Sequence, residues 1–355
     1  MAGSRRLGEI IEEYLAYRKP RLADTTWRNE SLVMRRFSRD LPDVQVRNLT
    51  ARHVAAWFYG HNGITSDHRT ADGLRRPGVS PATFNYYRTR VAGLLRYMAA
   101  NGLTRCDLLA DVSPQTEYRR QRQQPTPSTL ISLLDHASNS RDRAYIAVAL
   151  NTASRASEIA RLRLRDVDLK GGWLTFLIKK SRVEDLVPIT GDLDPELRVW
   201  LSEYAGSIAR QLGPEDFLFP AYTGSRYTWS ANAAGQRIKS RTPGSWKPDT
   251  PLTHSERIVQ AAMQAVGLPT RYEGTHTIRR AVARAFFDSL SNDLGYDHAI
   301  RTVSALLHHE SSSTTERYLQ LTSERRRRDQ RLHGQPFLSA MIDTRNVTPL
   351  RIARR

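Results

Sequence analysis

A short basic segment flanked by prolines constrains the fold of this chain more than any other sequence feature. Residues 113–127 read SPQTEYRRQRQQPTP, with few hydrophobic side chains. Such a stretch interrupts regular helices and strands and cannot contribute a core of its own. The 355 residues leave enough chain for a domain of ordinary size on each side. We therefore predict an N-terminal domain at residues 1–112, a linker at 113–127 and a second domain from residue 128.

The N-terminal domain is predicted to be helical. Apolar residues recur there at the three- and four-residue spacing of amphipathic helices, beginning with Leu7, Ile10 and Ile11. The polar, glycine-rich residues 60–78 predict a loop. The expected helix limits are a start near Thr25 for the second helix, a cap at Thr50 for the third, and Ser80, Pro81 and Gly102 at the ends of the fourth.

The second domain, predicted at residues 128–333, combines helices with a small β unit. Two β-rich runs, 173–178 and 186–189, flank a charged turn and predict an antiparallel hairpin. Residues 221–252 are rich in Gly, Ser, Thr and Pro, so we expect a long loop there. Contacts with DNA or with a neighbouring subunit are the alternatives to an inert insertion, which we favour. The predicted fold class is mainly α, of the α+β type.

The charge balance points to a polyanionic partner. Lys and Arg number 54 against 36 Asp and Glu, a net charge of +18. Nucleic acid is the commonest partner of such a surplus, although a solvated basic surface is the alternative. One cysteine, Cys106, cannot form an internal disulfide, and no apolar run has the length of a membrane span or the core of a signal peptide. These features predict a cytoplasmic protein, in the bacterial cytoplasm or nucleoid.

Four separate segments carry groups suited to chemistry on phosphate. In each, the pattern alone is weak, since a His-x-x-Arg pair is common on solvated helices and an Arg–Glu pair is usually a surface ion pair. Their combination and order are far more specific. The segments are NTASRASEIARLRLRDVDL with Arg155 and Glu158, KKSRVEDLVPI with Lys180, THTIRRAVA with His276 and Arg279, and LLHHESSSTTERYLQL with His309 and Tyr318.

Taken together, these segments resemble the tyrosine recombinases of the phage-integrase family. That family has an arginine followed by a glutamate, a hairpin lysine, a His-x-x-Arg, a second histidine and a tyrosine, preceded here by the hydroxyl residues 312–315. The resemblance implies a helical, SAM-like core-binding domain and a mostly helical catalytic domain with a small antiparallel sheet. One position departs from the pattern: His308 stands where the family usually has glycine. The spacing to Tyr318 favours His309 as the second histidine.

The resemblance assigns the cationic residues to the scissile phosphate. Attack on a phosphodiester adds negative charge to the non-bridging oxygens, and guanidinium groups stay charged and donate two hydrogen bonds to one phosphate. Arg155 and Arg279 are therefore predicted to bind the phosphate, with a further hydrogen bond from His309. Glu158 is predicted to orient Arg155.

The same resemblance makes Tyr318 the nucleophile of a 3′-phosphotyrosine intermediate. A phenol with an ordinary pKa of about 10 needs help to lose its proton at neutral pH, and His276 is the predicted helper. Lys180 is the predicted acid for the departing 5′-oxygen. The covalent link conserves the energy of the broken bond, and the sequence has no Walker loop, HExxH or CxxC motif. We therefore expect neither metal nor ATP nor another cofactor.

Within this reading, an integrase of a phage or integrative element is favoured over a host chromosome-resolution enzyme. Two alternatives remain open: another tyrosine DNA strand transferase, such as a type IB topoisomerase or a tyrosine transposase, and a DNA-binding regulator that has lost catalysis. The complete set of catalytic residue types argues against the regulator.

The resemblance also implies partners. They are double-stranded DNA with core-type sites, a dimer on each site, a homotetramer on DNA and, for some relatives, an accessory directionality factor. We expect the helix of Tyr318 to continue through TSERRRRDQRL. In the tail, residues 334–355, one apolar helix face is predicted from Phe337, Leu338, Met341 and Ile342. This face would dock on a neighbouring subunit or on its own domain.

Overall fold

The computed structural model describes residues 5–41, 44–69, 75–104, 107–117, 124–178, 183–231, 237–271 and 273–321. The chain divides into two compact units, Met1–Arg120 and Gln121–Arg355, and the division falls within the proline-flanked segment. The described helices and small antiparallel sheets confirm the predicted mainly α, α+β class. No helix in these ranges combines the length and apolarity that crossing a membrane requires.

Four α-helices form the described core of the N-terminal unit. The side chains of Thr50 and Ser80 accept the backbone N–H of His53 and Thr83, which confirms both predicted caps. The stretch predicted as a loop also contains a two-residue strand pair. The elements are α1 (Leu7–Arg18), α2 (Asp24–Asp40), α3 (Ala51–Tyr59), β1 (His68–Arg69), β2 (Arg75–Arg76) and α4 (Pro81–Ala100), with single 3₁₀ turns at Lys19–Arg21 and Val46–Asn48.

The described core of this unit contains an aromatic cluster and one buried carboxylate. Trp57 packs edge-on against Phe37 and Phe58, and all three are buried. Glu30 on α2 is also fully buried. Its carboxylate accepts hydrogen bonds from Tyr14, 2.7 Å away, and from the guanidiniums of Arg18 and Arg90. We call these four residues, Tyr14, Arg18, Glu30 and Arg90, the Glu30 cluster.

The second unit surrounds a central buried helix, α6. Nine residues of α6 are buried, and the helix packs on α8 and α10. A three-stranded antiparallel sheet, in the order β3-β4-β5, adds Leu174, Phe176 and Ile178 to the same core. Its helices are α5 (Pro127–Ser132), α6 (Ser140–Thr152), α7 (Ala156–Ile159), α8 (Leu193–Ser207), α9 (Ser255–Ala265), α10 (Thr275–Leu294), α11 (Tyr296–Leu306) and α12 (Ser312–Tyr318), with 3₁₀ turns at Leu134–His136 and Leu164–Asp166. Its strands are β3 (Val167–Asp168), β4 (Trp173–Ile178), β5 (Val183–Pro188), β6 (Pro220–Thr223), β7 (Arg226–Ala231), β8 (Arg237–Thr242) and β9 (Ser245–Pro251).

The prediction of a long loop at residues 221–252 is wrong. Strands β6 and β9 pair with each other, and β7 and β8 pair between them, so the segment is a nested antiparallel hairpin. The Gly, Ser, Thr and Pro content concealed two short runs, RYTWSA and RIKSRT, whose β-formers alternate with polar residues. Pairing across the hairpin satisfies the backbone groups of each run that face the other strand.

Candidate active site

A buried arginine lies at the centre of the site. Arg279 on α10 is only 2% exposed. Its guanidinium donates to the carbonyl of Ala153, which follows α6, and to the carbonyl of Leu307, which follows α11, the latter at 2.7 Å. Both acceptors are the negative ends of helix dipoles. Two helix ends therefore hold Arg279, and no carboxylate of the described residues bonds to it.

Arg155 reaches the site from the turn before α7. Glu158 accepts the backbone N–H of Arg155 at 2.8 Å and its guanidinium at 2.9 Å. The Glu158 side chain is 7% exposed and the Arg155 side chain 30%. The buried carboxylate thus fixes both the main chain and the side chain of Arg155 and leaves part of the guanidinium accessible.

Tyr318, the last residue of α12, lies half-buried beside these arginines. Its hydroxyl donates to the backbone carbonyl of His276 over 3.4 Å. Burial raises the pKa of Tyr318 above the ordinary value, while Arg279, Arg280 and Arg155 act in the opposite direction. Burial and the like charge of Arg155 lower the pKa of Arg279. The phenol is consequently protonated at neutral pH in a strongly cationic environment.

His309 faces the tyrosine. Its ring meets the Tyr318 ring edge-on at 5.5 Å between centroids. Its Nδ1 lies 2.9 Å from the hydroxyl oxygen of Thr315, which is fully buried and lies 2.8 Å from Ser304 Oγ. Thr315 and Ser304 therefore set the orientation of the imidazole. Sequence reasoning noted Thr315 only as part of a hydroxyl-rich flank and missed Ser304.

His308 points elsewhere, and its backbone explains the usual glycine. Its φ is 51°, in the left-handed region where only glycine has no steric cost. The Nε2 atom lies 3.3 Å from Asp185 on β5. The left-handed residue reverses the chain between Leu307, whose carbonyl binds Arg279, and His309, which faces Tyr318. In the structure, therefore, His309 is the histidine that lies against Tyr318, and His308 lies against Asp185.

The helix of Tyr318 does not continue into the arginine run, contrary to prediction. α12 ends at Tyr318, and Gln320 is left-handed with φ 57°. The N–H of Leu321 bonds to the Glu316 carbonyl and that of Gln320 to the Arg317 carbonyl, a Schellman termination. Leu319 and Leu321 are buried in the cluster formed by α10 and α11. Packing of these two leucines favours ending the helix over extending it.

The remaining predicted residues are placed differently. His276 lies on the first turn of α10 with an exposed side chain, and its carbonyl contacts Tyr318. Lys180 and the tail residues 334–355 fall outside the described residues. Arg280 was missed: it is buried, pairs with Glu273 at 3.2 Å and acts on the pKa of Tyr318. The paired arginines of THTIRRAVA were the available signal.

The described part of the site offers phosphate ligands rather than metal ligands. Arg155, Arg279 and His309 converge on the tyrosine with donors that match a phosphodiester. Within the described ranges, no group of three His, Cys, Asp or Glu side chains is arranged to hold a metal ion.

Known proteins share both the sequence pattern and the fold. The model of the phage integrase family matches residues 126–325. The tyrosine recombinase XerD of Pseudomonas putida is 28% identical over 273 residues, covering 73% of this chain and 76% of its own. The tyrosine recombinase XerC of Azotobacter vinelandii is 28% identical over 254 residues, covering 70% and 72%.

Two solved structures show the same fold. The XerH site-specific recombinase bound to palindromic difH substrate, in its post-cleavage complex, gives a TM-score of 0.63 at 16% identity, covering 93% of this chain and 96% of that one. A lambda integrase tetramer bound to a Holliday junction gives a TM-score of 0.60 at 18% identity, covering 89% and 78%.

The chain belongs to the phage integrase family. It is a tyrosine recombinase, an enzyme that cleaves and rejoins DNA in site-specific recombination.

Proposed function

We propose that the protein is an integrase of a phage or integrative element and that Tyr318 forms a 3′-phosphotyrosine link to the cleaved strand. The observation that carries this proposal is the placement of the Tyr318 phenol beside Arg279, whose guanidinium donates to the backbone carbonyls of Ala153 and Leu307. A guanidinium held by neutral carbonyls, with no direct carboxylate hydrogen bond among the described residues, is available to pair with an incoming phosphate. Arg155 supplies the second cation.

The other roles follow from chemistry and placement. His309, oriented by Thr315, would donate to the same phosphate. His276 would accept the phenolic proton through its imidazole. Lys180, in the segment of sequence between β4 and β5, would protonate the 5′-oxygen. Glu158 positions Arg155 and would not touch the substrate.

For assembly, we propose a dimer on each core-type site and a homotetramer that pairs two sites. The N-terminal unit would be the core-binding domain and the segment 113–127 its basic linker. The support is the fold shared with lambda integrase, which has been solved as a tetramer on a Holliday junction. A cytoplasmic location follows from a DNA substrate.

Mapping the covalent junction tests the nucleophile. The protein would be expressed in bacteria carrying candidate target DNA, and trapped protein–DNA adducts would be sequenced on both sides of the link. The expected junction joins Tyr318 to a 3′-phosphate. A link through another residue, a 5′-phosphate junction, or no adduct with any DNA would overturn the proposal; the last outcome fits the inactive regulator.

A sulfur-substituted substrate tests the acid once the cleavage site is mapped. Replacing the bridging 5′-oxygen with sulfur gives a leaving group that needs little protonation. The substitution should restore most of the cleavage lost in Lys180→Ala and little of that lost in Arg279→Ala. Equal rescue of both variants would refute the role of Lys180.

A further inference from the structure

The turn that follows α11 has a histidine where its backbone geometry favours glycine. The N–H of His309 bonds to the Ser304 carbonyl and that of His308 to the Ala305 carbonyl, both at 2.9 Å, which is a Schellman termination. The left-handed residue of this motif is His308, with φ 51°. Glycine would adopt this conformation without steric cost. Strained residues of this kind cluster at functional sites, so the side chain of His308 is a candidate for a role that glycine cannot supply.

The side chain of His308 connects this turn to the three-stranded sheet. Its Nε2 atom lies 3.3 Å from Oδ2 of Asp185, and the two side chains are 26% and 37% exposed. Asp185 lies on β5 directly opposite Phe176 of β4, whose side chain is buried in the core. Because opposed residues of antiparallel strands share a face, Asp185 lies on the face of the sheet that packs against the core. The carboxylate is therefore an anchor on a packed element.

The turn at His308 also joins two residues of the active site. The carbonyl of Leu307, immediately before it, accepts a hydrogen bond from Arg279 at 2.7 Å. The imidazole of His309, immediately after it, lies edge-on to the ring of Tyr318. A rotation of the His308 backbone would therefore move both the acceptor that holds Arg279 and the imidazole that faces the tyrosine.

We propose that His308 and Asp185, which we call the His308–Asp185 pair, position the phosphate-binding groups of the active site. The pair anchors the turn to β5 and so fixes the Leu307 carbonyl and the His309 imidazole before DNA binds. Preorganisation of this kind matters because a displacement of about 1 Å at a reacting group can cost about 100-fold in rate. The inference rests on the proposed roles of Arg279 and His309 and adds two positioning residues, neither of which touches the substrate.

Removing the carboxylate tests the proposal in the full-length protein once the cleavage site is mapped. The contact is partly exposed and therefore modest in strength, so Asp185→Ala should slow single-turnover cleavage on saturating DNA by about 5-fold. The Kd for DNA should change little. Glu184→Ala is the matched control, since it removes the same charge from the neighbouring position, which is exposed on the other face of β5. Equal cleavage rates in the two variants would overturn the proposal.

Two substitutions of equal length test the imidazole. His308→Gln keeps an N–H donor at about the same reach, whereas His308→Met keeps the length and removes the donor. The glutamine variant should cleave within about 2-fold of wild type, and the methionine variant should be as slow as Asp185→Ala. Adding Asp185→Ala to His308→Met should slow cleavage no further, because the pair is already broken. Equal rates for glutamine and methionine, or additive effects in the double variant, would refute the pair.

Modified substrates distinguish positioning from a general loss of structure. A scissile methylphosphonate has a methyl group in place of one non-bridging oxygen, so its transition state needs less stabilisation from Arg279 and His309. The defect of Asp185→Ala should shrink to about 2-fold on this substrate and stay at about 5-fold on the 5′-sulfur substrate. An equal defect on every substrate would make the pair merely structural. Rescue by sulfur would place its effect at the Lys180 step, and both results contradict the proposal.

Amide hydrogen exchange measures the turn without any cleavage. The N–H of His309, bonded to Ser304, should exchange about 5-fold faster in Asp185→Ala than in wild type or Glu184→Ala, because the turn has lost its anchor. Unchanged exchange would refute the pair alone. Faster exchange in Asp185→Ala, together with a wild type that forms no Tyr318 adduct, would support the anchored turn and refute only the proposed chemistry.

Discussion

The Glu30 cluster of the N-terminal unit and the site around Arg279 both place arginines beside a tyrosine, but the buried charge has opposite sign. In the first, a buried carboxylate takes hydrogen bonds from Tyr14, Arg18 and Arg90. In the second, the buried group is a guanidinium bound by two carbonyls. The first set of charges is satisfied internally, and the second retains a cation for an external anion.

The sign of the buried charge has opposite effects on the pKa values of the two tyrosines. Burial and the hydrogen bond to Glu30 raise the pKa of Tyr14, and the carboxylate adds to the rise. Burial also raises the pKa of Tyr318, but its charged neighbours are arginines, which favour the phenolate. Composition alone would treat the two clusters alike. The sign of the buried charge makes the first self-contained and suits the second to the proposed chemistry on phosphate.

Removing the hydroxyl of Tyr318 or of Tyr14 should produce the largest difference between the two clusters. Tyr318→Phe keeps the ring and its packing but removes the hydroxyl of the proposed nucleophile, so covalent adduct should fall by at least about 10⁴-fold while DNA binding persists. Tyr14→Phe, the matched change in the Glu30 cluster, should leave adduct formation unchanged. Gel analysis of trapped adducts measures both. Normal adduct yield from Tyr318→Phe would disprove the assignment.

Exchanging arginine for lysine should have the next largest effect. Arg279→Lys keeps the charge but cannot bind both helix ends and a phosphate, so cleavage should slow by about 10²- to 10³-fold. Arg90→Lys keeps one charge beside Glu30 and should leave single-turnover cleavage on saturating DNA nearly unaltered. If the two variants cleave at the same rate, the buried guanidinium is not part of the chemistry.

Neutralising Glu30 should affect stability and its pH dependence. Glu30→Gln leaves Arg18 and Arg90 without their anion, so unfolding free energy at pH 7 should fall by about 2 kcal/mol. Burial alone would raise the pKa of Glu30, but the bonds from Arg18 and Tyr14 and the charge of Arg90 bring it below its ordinary value.

The sign of this shift defines the pH window. A carboxyl with a depressed folded-state pKa stabilises the fold above its unfolded pKa of about 4.3, and the stabilisation is lost as pH falls through the lower folded value. The difference between wild type and Glu30→Gln in urea unfolding should therefore be full at pH 6 to 7 and shrink below about pH 4. A stability difference between wild type and Glu30→Gln that grows as pH falls would contradict the role assigned to the Glu30 cluster.

The smallest expected effect concerns the left-handed residue beside the site. His308→Gly relieves the backbone strain and His308→Ala does not, so the glycine variant should be the more stable by about 1 kcal/mol. In the interior of α10 the order should reverse, with Arg284→Ala more stable than Arg284→Gly by about 1 kcal/mol. Urea titration of the four variants measures both orders. Equal stability of Gly and Ala at position 308 would remove the backbone explanation.

The sequence by itself determined the two-part organisation, the helix caps at Thr50 and Ser80, and the family, because each depends on local composition or on an ordered set of motifs. The choice of His309 over His308 rested on spacing alone, and the structure shows His309 against Tyr318 and His308 against Asp185. Each of these features depends only on residues close together in the sequence or on the number of residues between two motifs.

Only the tertiary structure decided what holds Arg279, where the tyrosine helix ends and what residues 221–252 form. The acceptors of Arg279 are backbone carbonyls 126 and 28 positions away, and every residue type has such a carbonyl. Burial of Leu319 and Leu321 ends α12, and pairing between strands forms the nested hairpin of β6 to β9. Each depends on contacts between segments distant in sequence, whose free energy exceeds the weak local propensities that sequence patterns report.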